Sequence, residues 1–299
     1  MRILLIGASG FLGGHVRTRA EREGHQVVTA SRGMLADSDW HYCLDLTDQP
    51  LQLAAVLAEV APDAVINCAG ATIGAVPLLA ATNINGPYAL VRAMLLAHRP
   101  ARLVHFGSAA EYGRGIPGVP VTEGSSPRPL SPYGATKLAG TQAVEMARSA
   151  GLDAVVLRVF NAIGRGAPPT LMAGRVVAAL RNVARTGEDL LLGPLDAVRD
   201  FVDARDIADA AVRAATVESL PHPILNIGRG RGVSARTLVK ELLTISGADC
   251  AVREDALGSP RGDDVAWQQA SIDRAMADLD WRPTRDLTAS VADMWGQTQ

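Results

Sequence analysis

The sequence predicts an α/β protein, a doubly wound parallel sheet with a smaller C-terminal α/β lobe. Three observations carry this. Short, almost wholly apolar runs at Arg2–Ile6, Gln26–Ala30, Ala64–Cys68, Arg102–Gly107 and Ala154–Phe160 read as strands buried on both faces. Longer segments with helical periodicity lie between them, near Phe11–Glu23, Pro50–Val60, Asn83–His98 and Pro132–Ser149. The first strand also runs straight into Gly7-Ala8-Ser9-Gly10-Phe11-Leu12-Gly13. Parallel strands need crossovers, and right-handed helical ones cover both faces of the sheet.

Past Phe160 the rhythm loosens. Gly164–Pro169 reads as a loop, Met172–Arg185 as a helix and Leu190–Gly193 as a strand. Asp203–Glu218 reads as a helix, Ile224–Ile227 as a strand and Ser234–Ser246 as a helix. The tail, Gly258–Gln299, mixes turn residues with a short amphipathic segment. No linker, repeat or low-complexity tract interrupts the chain. The expected division is residues 1–160 as a dinucleotide-binding unit, with 195–220 returning to it, and 161–299 mainly as a substrate lobe.

Composition narrows the function. At 299 residues and 48% hydrophobic, the chain is long and apolar enough for a sizeable core. With 29 basic against 31 acidic residues it lacks the positive excess of a nucleic-acid binder, so an anionic ligand must be met by local arginines. Cys43, Cys68 and Cys250 are odd in number and widely spaced, which argues against disulfides and structural zinc and for a reducing compartment. The six histidines show no ligand spacing, so no metal is expected. No stretch is apolar enough to span a bilayer and no signal peptide is evident, so a cytoplasmic protein is expected.

The glycine turn after the first strand is the first chemical signal. Gly7, Gly10 and Gly13, with Ser9, Phe11 and Leu12 between them, would let backbone N–H groups and a helix N-terminus face a pyrophosphate, as in a Rossmann-type sheet. An acidic residue closing the second strand would bind a ribose 2′-hydroxyl. Here the chain reads Thr29-Ala30-Ser31-Arg32, so Ser31 and Arg32 favour a 2′-phosphate, and NADP(H) is expected over NAD(H). The alternative is that Asp37 or Asp39 does the sensing. Asp45 and Leu46, after a short third strand between Gln26–Ala30 and Ala64–Cys68, are placed to meet the adenine. Cys68, Ala69 and Gly70 end the fourth strand close to the cofactor, and Asn83 joins the cofactor contacts.

The second signal is a pair. Only two lysines occur, and Lys137 follows Tyr133 by four residues, one helical turn, so the two side chains share a face. An ammonium there lowers a phenol pKa from about 10 towards neutrality. Such a phenol suits proton transfer in carbonyl–alcohol chemistry. Ser108, at the carboxyl end of the fifth strand, would hydrogen-bond the same oxygen.

In order along the chain, these motifs resemble the extended short-chain dehydrogenase/reductases of the NAD-dependent epimerase/dehydratase family, which act on nucleoside-diphosphate sugars. The resemblance rests on the glycine turn, Ser108…Tyr133-x-x-x-Lys137, Phe106-Gly107-Ser108-Ala109-Ala110-Glu111-Tyr112-Gly113 and Arg158-Val159-Phe160-Asn161. It continues through Arg199-Asp200-Phe201-Val202-Asp203, Asn226-Ile227-Gly228, Arg261-Gly262-Asp263-Asp264 and Trp281-Arg282-Pro283. Within that family, Thr29–Arg32, Arg128–Gly134 and Leu195–Phe201 are most similar to GDP-4-keto-6-deoxy-D-mannose reductases. The sequence departs from the family pattern at Arg165, where proline is usual, and at Ala109-Ala110, where more polar residues are common.

The resemblance implies NADPH-dependent reduction of a 4-keto sugar, with Tyr133 donating the proton and Lys137 and Ser108 assisting. It also implies that Arg199 and Arg261 grip the diphosphate, the alternative being solvated salt bridges. Asn161 is either a substrate contact or a backbone cap, and Glu111 either a sugar contact or a loop anchor. A homodimer through Asn83–His98 and Pro132–Ser149 is implied by resemblance alone. The rival activity is a UDP-glucose 4-epimerase-like reaction with retained NAD. A dehydratase would need an Asp-Glu pair where Ala109-Ala110 stands, and a non-enzymatic redox sensor should lack the Tyr–Lys pair.

Overall fold

The computed structural model of the chain describes residues 1–35, 40–47, 50–97, 100–254 and 265–296. Strand β1 (Arg2–Ile6), helix α1 (Phe11–Arg22), β2 (Gln26–Ser31), β3 (His41–Cys43), α2 (Pro50–Val60) and β4 (Ala64–Asn67) come first. Helix α3 (Val76–Ala80) then passes through one π turn at Ala81–Asn85 into α4 (Gly86–Leu96). Strand β5 (Arg102–Ser108) ends in a 3₁₀ turn, Ala109–Glu111, followed by α5 (Pro132–Ser149), β6 (Ala154–Val159) and β7 (Asn161–Ile163). Then come α6 (Met172–Thr186), β8 (Leu190–Leu191), β9 (Val198–Asp203), α7 (Ala204–Thr216) and β10 (Ile224–Ile227). The chain closes with β11 (Gly232–Ser234), α8 (Ala235–Ser246), β12 (Val252–Arg253), α9 (Asp273–Leu279) and α10 (Leu287–Trp295).

Seven strands form one sheet in the order β10-β6-β5-β4-β1-β2-β3. Every neighbouring pair is parallel. The chain winds outward from β1 through β2 and β3, then restarts at β4 on the other side of β1. That reversal opens a crevice at the carboxyl ends of β1 and β4, where ligands of such sheets bind. One face packs against α2, α4 and α5 through Leu53, Leu57, Leu90, Met94 and Val144. The other packs against α1, α7 and α9 through Val16, Ile207, Ala211 and Leu279, with Trp281 fully buried among them. A separate cluster, including Leu180, Leu242 and Val291, joins α6, α8 and α10 beside the small sheet β11-β9-β7.

Local chemistry explains the element ends. Helix α5 starts where Ser131 Oγ accepts from Gly134 N–H and Pro132 takes the first helical position. Helix α7 begins at Ala204 rather than at the expected Asp203, because the Asp203 carboxylate accepts from Arg205 N–H and caps the helix. Helices α6 and α8 stop at Gly187 and Gly247, both left-handed. The helix expected over Asn83–His98 differs most. Its first residues lie in the π turn and its regular part is α4, with His98 outside the described residues. Pro87 has no N–H to offer Asn83, so the helical ladder is interrupted there.

The short strands β7, β9 and β11 were not legible as strands. Residues 198–203 carry Arg199, Asp200 and Asp203, which hide the apolar pattern of β9. The Asp200 carboxylate is buried and accepts from the backbone N–H groups of Arg229, Gly230 and Ala270. Burial pushes its carboxyl up to about 6 against the pull of those hydrogen bonds.

Candidate active site

The crevice between β1 and β4 is shaped by glycine. Gly7 has φ +81°, and a Cβ there would lie 2.7 Å from Ala69 N. A Cβ on Gly13 would lie 2.1 Å from Gly7 O, so only glycine lets α1 start this close to the strand. No side chain caps α1, and its first turn holds no acidic residue. Its first N–H groups thus face the crevice as an anion site, with Ser9 and Gly10 exposed and Phe11 and Leu12 half-buried. These observations fit a dinucleotide pyrophosphate.

Around that turn the expected contacts divide. Arg32 is exposed at the end of β2, whereas Ser31 is buried and its hydroxyl donates to Gly33 O at 2.8 Å. Ser31 therefore closes the turn instead of reaching a 2′-phosphate, and Asp37 and Asp39 lie outside the described residues. The Asp45 carboxyl is held low by the Thr47 N–H and by the nearby charge of Arg32. Leu46 is 7% exposed and packs in the core behind the crevice. Cys68 and Ala69 are half-buried and Gly70 is exposed at the end of β4.

Asn83 requires a correction. It is 1% exposed, and its amide accepts from Ala71 N–H and donates to Ala71 O and to Thr136 Oγ1. With both ends of the amide engaged, Asn83 ties the loop after β4 to α5 from beneath. Its amide is spent on that support and has no donor or acceptor aimed into the crevice.

On the other side of the crevice, α5 lies against the end of β5. Gly134 permits this, since a Cβ there would lie 2.5 Å from Ala110 O, and Gly140 lets the same helix meet the π turn, where a Cβ would lie 2.4 Å from Asn83 O. Tyr133 is half-buried in the first turn, one residue before Gly134, whose backbone meets Ala110. Lys137 is 4% exposed and its Nζ donates to Phe106 O at 2.5 Å. Burial pulls its ammonium below the usual lysine range, while the Glu111 carboxylate and Cys68 push it back. Ser108 Oγ accepts from Ala110 N–H at 3.2 Å, leaving its own O–H to donate.

Glu111 is the second correction. It is fully buried, so the anchor alternative holds and the sugar contact does not. Its carboxylate accepts from Ser108 N–H at 2.8 Å, Thr141 Oγ1 at 3.0 Å and Arg158 Nε at 2.7 Å. Asn161 Nδ2 donates to Asp200 O at 3.3 Å and so joins β7 to β9. Arg199, half-buried on β9, donates to Val198 O. Arg261 lies outside the described residues.

Several polar groups near the site were missed from sequence. Asn67 and His105 face each other across β4 and β5, with Asn67 Nδ2 3.2 Å from His105 Nδ1. Both are fully buried, and burial together with Lys137 holds the His105 ring neutral. Gln268 donates to Ala109 O and Gly113 O, closing the back of the Ser108 turn. A signal existed for His105 and Asn67, each a polar side chain inside an apolar strand, and none for Gln268.

A separate cavity of about 450 Å³ opens at the amino ends of the strands, lined in part by Met94, Arg102 and Leu152. Arg102 is engaged there by Asp153 and by the carbonyls of Ala214, Val217 and Glu218, so the cavity offers little chemistry. Among the described residues no group of three His, Cys, Asp or Glu could hold a metal, and no helix is long and apolar enough to cross a membrane.

Comparison with known proteins agrees with this geometry. The family model described as "NAD dependent epimerase/dehydratase family" matches residues 3–228. A dTDP-6-deoxy-L-talose 4-dehydrogenase (NAD(P)(+)) of Kitasatospora kifunensis is 34% identical, across 98% of this chain and 94% of that protein. A UDP-glucose 4-epimerase of Streptomyces lividans is 28% identical across 98% of this chain and 95% of its own length. The crystal structure of the Thermus thermophilus UDP-glucose 4-epimerase in complex with NAD superposes with a TM-score of 0.85 at 27% identity, covering 100% of both chains. With both the family model and a full-length relative in agreement, the chain belongs to the NAD dependent epimerase/dehydratase family.

Proposed function

We propose that the protein is an NAD(P)-dependent oxidoreductase interconverting the 4-keto and 4-hydroxy forms of a nucleoside-diphosphate 6-deoxysugar. The observation that carries this reading is the face of α5 bearing Tyr133 and Lys137, packed against the end of β5 that bears Ser108. The dTDP-6-deoxy-L-talose 4-dehydrogenase supports the sugar class. The relatives named above act, by their names, on dTDP- and UDP-sugars, so a dTDP-sugar is the first substrate to test, ahead of the GDP-sugar expected from the sequence.

In this reading, Gly7–Gly13 and the start of α1 hold the pyrophosphate, and Asp45, Cys68, Ala69 and Gly70 line the rest of the cofactor crevice. A nicotinamide bound there supplies or accepts the hydride. Tyr133 gives its phenolic proton to the oxygen at C4 in reduction and takes it back in oxidation. Lys137 keeps a positive charge beside the phenol, and Ser108 donates to the same oxygen and orients it. Residues 161–299 supply most of the sugar-nucleotide contacts, with Arg199 and Arg261 on the diphosphate and Asn161 nearby. Tyr88, Leu96 and Met146, exposed on α4 and α5, support a homodimer through those helices.

NADP(H) remains the favoured cofactor, on Arg32 alone. Arg32→Ala is expected to raise the KM for NADPH by roughly 10- to 100-fold and to leave that for NADH nearly unchanged, the loss of one or two charge-assisted hydrogen bonds. Equal effects on both cofactors would assign Arg32 elsewhere.

The second reading, a 4-epimerase with retained NAD, is favoured by the Streptomyces lividans relative. One preparation separates the two. The purified protein is assayed with dTDP-, UDP- and GDP-linked 6-deoxy-4-keto sugars and both reduced cofactors, and its absorbance is read for bound nicotinamide. Turnover that consumes added NADPH or NADH supports the oxidoreductase. Tightly retained nicotinamide with UDP-glucose/UDP-galactose exchange and no net cofactor use would replace it by the epimerase.

A further inference from the structure

The buried carboxylate behind Ser108 has no place in the chemistry described so far. We propose that Glu111 is a positioning residue, setting the separation between Ser108 and the helix face of Tyr133 and Lys137 by accepting from Ser108 N–H and Thr141 Oγ1 through one carboxylate oxygen. This rests on the reading that Ser108, Tyr133 and Lys137 carry the reaction.

The geometry is that of a strut. Tyr133, Lys137 and Thr141 stand at successive intervals of four along α5 and share one face. That face is held to β5 at two consecutive turns. Lys137 Nζ bonds Phe106 O, and one turn later Thr141 bonds Glu111, which in turn bonds Ser108 N–H. The second carboxylate oxygen is held by Arg158 Nε at 2.7 Å from β6. The Arg158 guanidinium lies 4.6 Å over the Tyr112 ring, whose hydroxyl donates to Asn226 Oδ1 at 2.7 Å. The carboxylate is thus fixed from β5, α5 and β6 together.

The chain also makes room for it. A Cβ on Gly107 would lie 2.8 Å from Glu111 Oε1, so the residue before Ser108 must be glycine for the carboxylate to sit there. A buried ion pair is rarely the most stable filling for such a space, because apolar residues of equal volume avoid the desolvation cost. Its retention here is explained by the hydrogen bonds it distributes.

Glu111 also acts on Lys137 through its charge. Around Lys137 stand Cys68 from the end of β4, His105 from β5 and Glu111 from the 3₁₀ turn, and Tyr133 precedes it by one turn on the same helix. Of these, the Glu111 carboxylate is the strongest influence holding the ammonium protonated. Around Glu111 itself stand Arg158, Tyr112 and Glu145.

Two variants test this on the full chain. Thr141→Val removes one bond to Glu111 and nothing ionic, with Thr141→Ser as the conservative control. Glu111→Gln/Arg158→Met removes both charges together, so that neither is left buried alone. Thr141→Val is expected to lower kcat roughly five- to tenfold with an unchanged cofactor KM, the worth of about one hydrogen bond, and Thr141→Ser to restore it. The double variant is expected to move the alkaline limb of kcat for reduction to higher pH, because Lys137 gives up its proton sooner and no longer helps the phenol to ionise. The tyrosinate absorbance that Tyr133→Phe abolishes should then appear at higher pH than in the wild type, since the phenol has lost its cation. A purely structural Glu111 would leave kcat, pH profile and tyrosinate onset at wild-type values in both folded variants, and the absence of either the Thr141→Val fall or the tyrosinate shift overturns the proposal. If the wild type turns over no sugar in the panel, the functional reading fails by itself. The tyrosinate onset, which needs no substrate, still decides for or against Glu111.

Discussion

Tyr133→Phe is expected to lower kcat by about 10²–10⁴-fold while leaving cofactor affinity within a factor of two or so, the range of one positioned proton transfer. The ring is kept, so the packing of α5 against the Ser108 turn is kept with it. What is lost is a single O–H at the head of the face that carries Lys137. The measurement is steady-state turnover of the 4-keto or 4-hydroxy sugar alongside a fluorescence titration with NADPH. A variant within tenfold of wild type would remove Tyr133 from the proton step. A variant that no longer binds NADPH would instead mean that the phenol serves the cofactor and not the sugar.

The largest effect on stability is expected from Arg158→Met. Both Arg158 and Glu111 lie out of water, 2% and 0% exposed, with 2.7 Å between Nε and Oε2. Methionine fills much of the same volume but leaves the carboxylate facing apolar side chains. Breaking a buried pair from one side costs about 3–5 kcal/mol. For a chain of this size that corresponds to a fall in Tm of roughly 5–8 °C, measurable by calorimetry. Adding Glu111→Gln should recover most of the loss, since the uncompensated charge goes with it. A single variant as stable as wild type would show that the carboxylate takes up a proton readily or finds water.

How much of this was legible from sequence depends on what the residues had to reveal. Apolar strands buried on both faces, such as Ala64–Asn67 and Ala154–Val159, announce themselves by composition, and α2 and α5 were read to their last residues because Pro50, Pro132 and Ser131 mark their starts. The glycine turn was legible because a tight strand–helix junction leaves few alternatives to glycine. The strands of the smaller sheet were not, since β7, β9 and β11 are short and carry polar residues whose partners lie far along the chain. Asp200 is satisfied by residues 29, 30 and 70 positions away. No periodicity encodes such distances.

The site divided in the same way. Residue types with one chemical use, such as Tyr133 and Lys137, could be proposed from spacing. Residues with several uses could not, which is why Asn83 and Ser31 were expected to touch ligands and instead hold backbone, and why Glu111 stayed open between sugar contact and anchor. One clue was available. Arg158 sits in the middle of an otherwise apolar strand, and a buried guanidinium demands a buried carboxylate. Glu111, the acidic residue beside the neighbouring strand's end, was the natural candidate for that partner.

The seventh strand of the main sheet carries a consequence for synthesis. β10 pairs with β6 although 64 residues separate the end of one from the start of the other. A nascent chain emerging from the ribosome therefore presents β6 as an open edge, a template for wrong pairing, until residue 227 has cleared the exit. Helix α7, which covers α1 and bonds to it through Arg19 and Asp209, also arrives late. The main sheet therefore stays unfinished on one edge, and on one face, until the chain beyond β9 has folded back onto it.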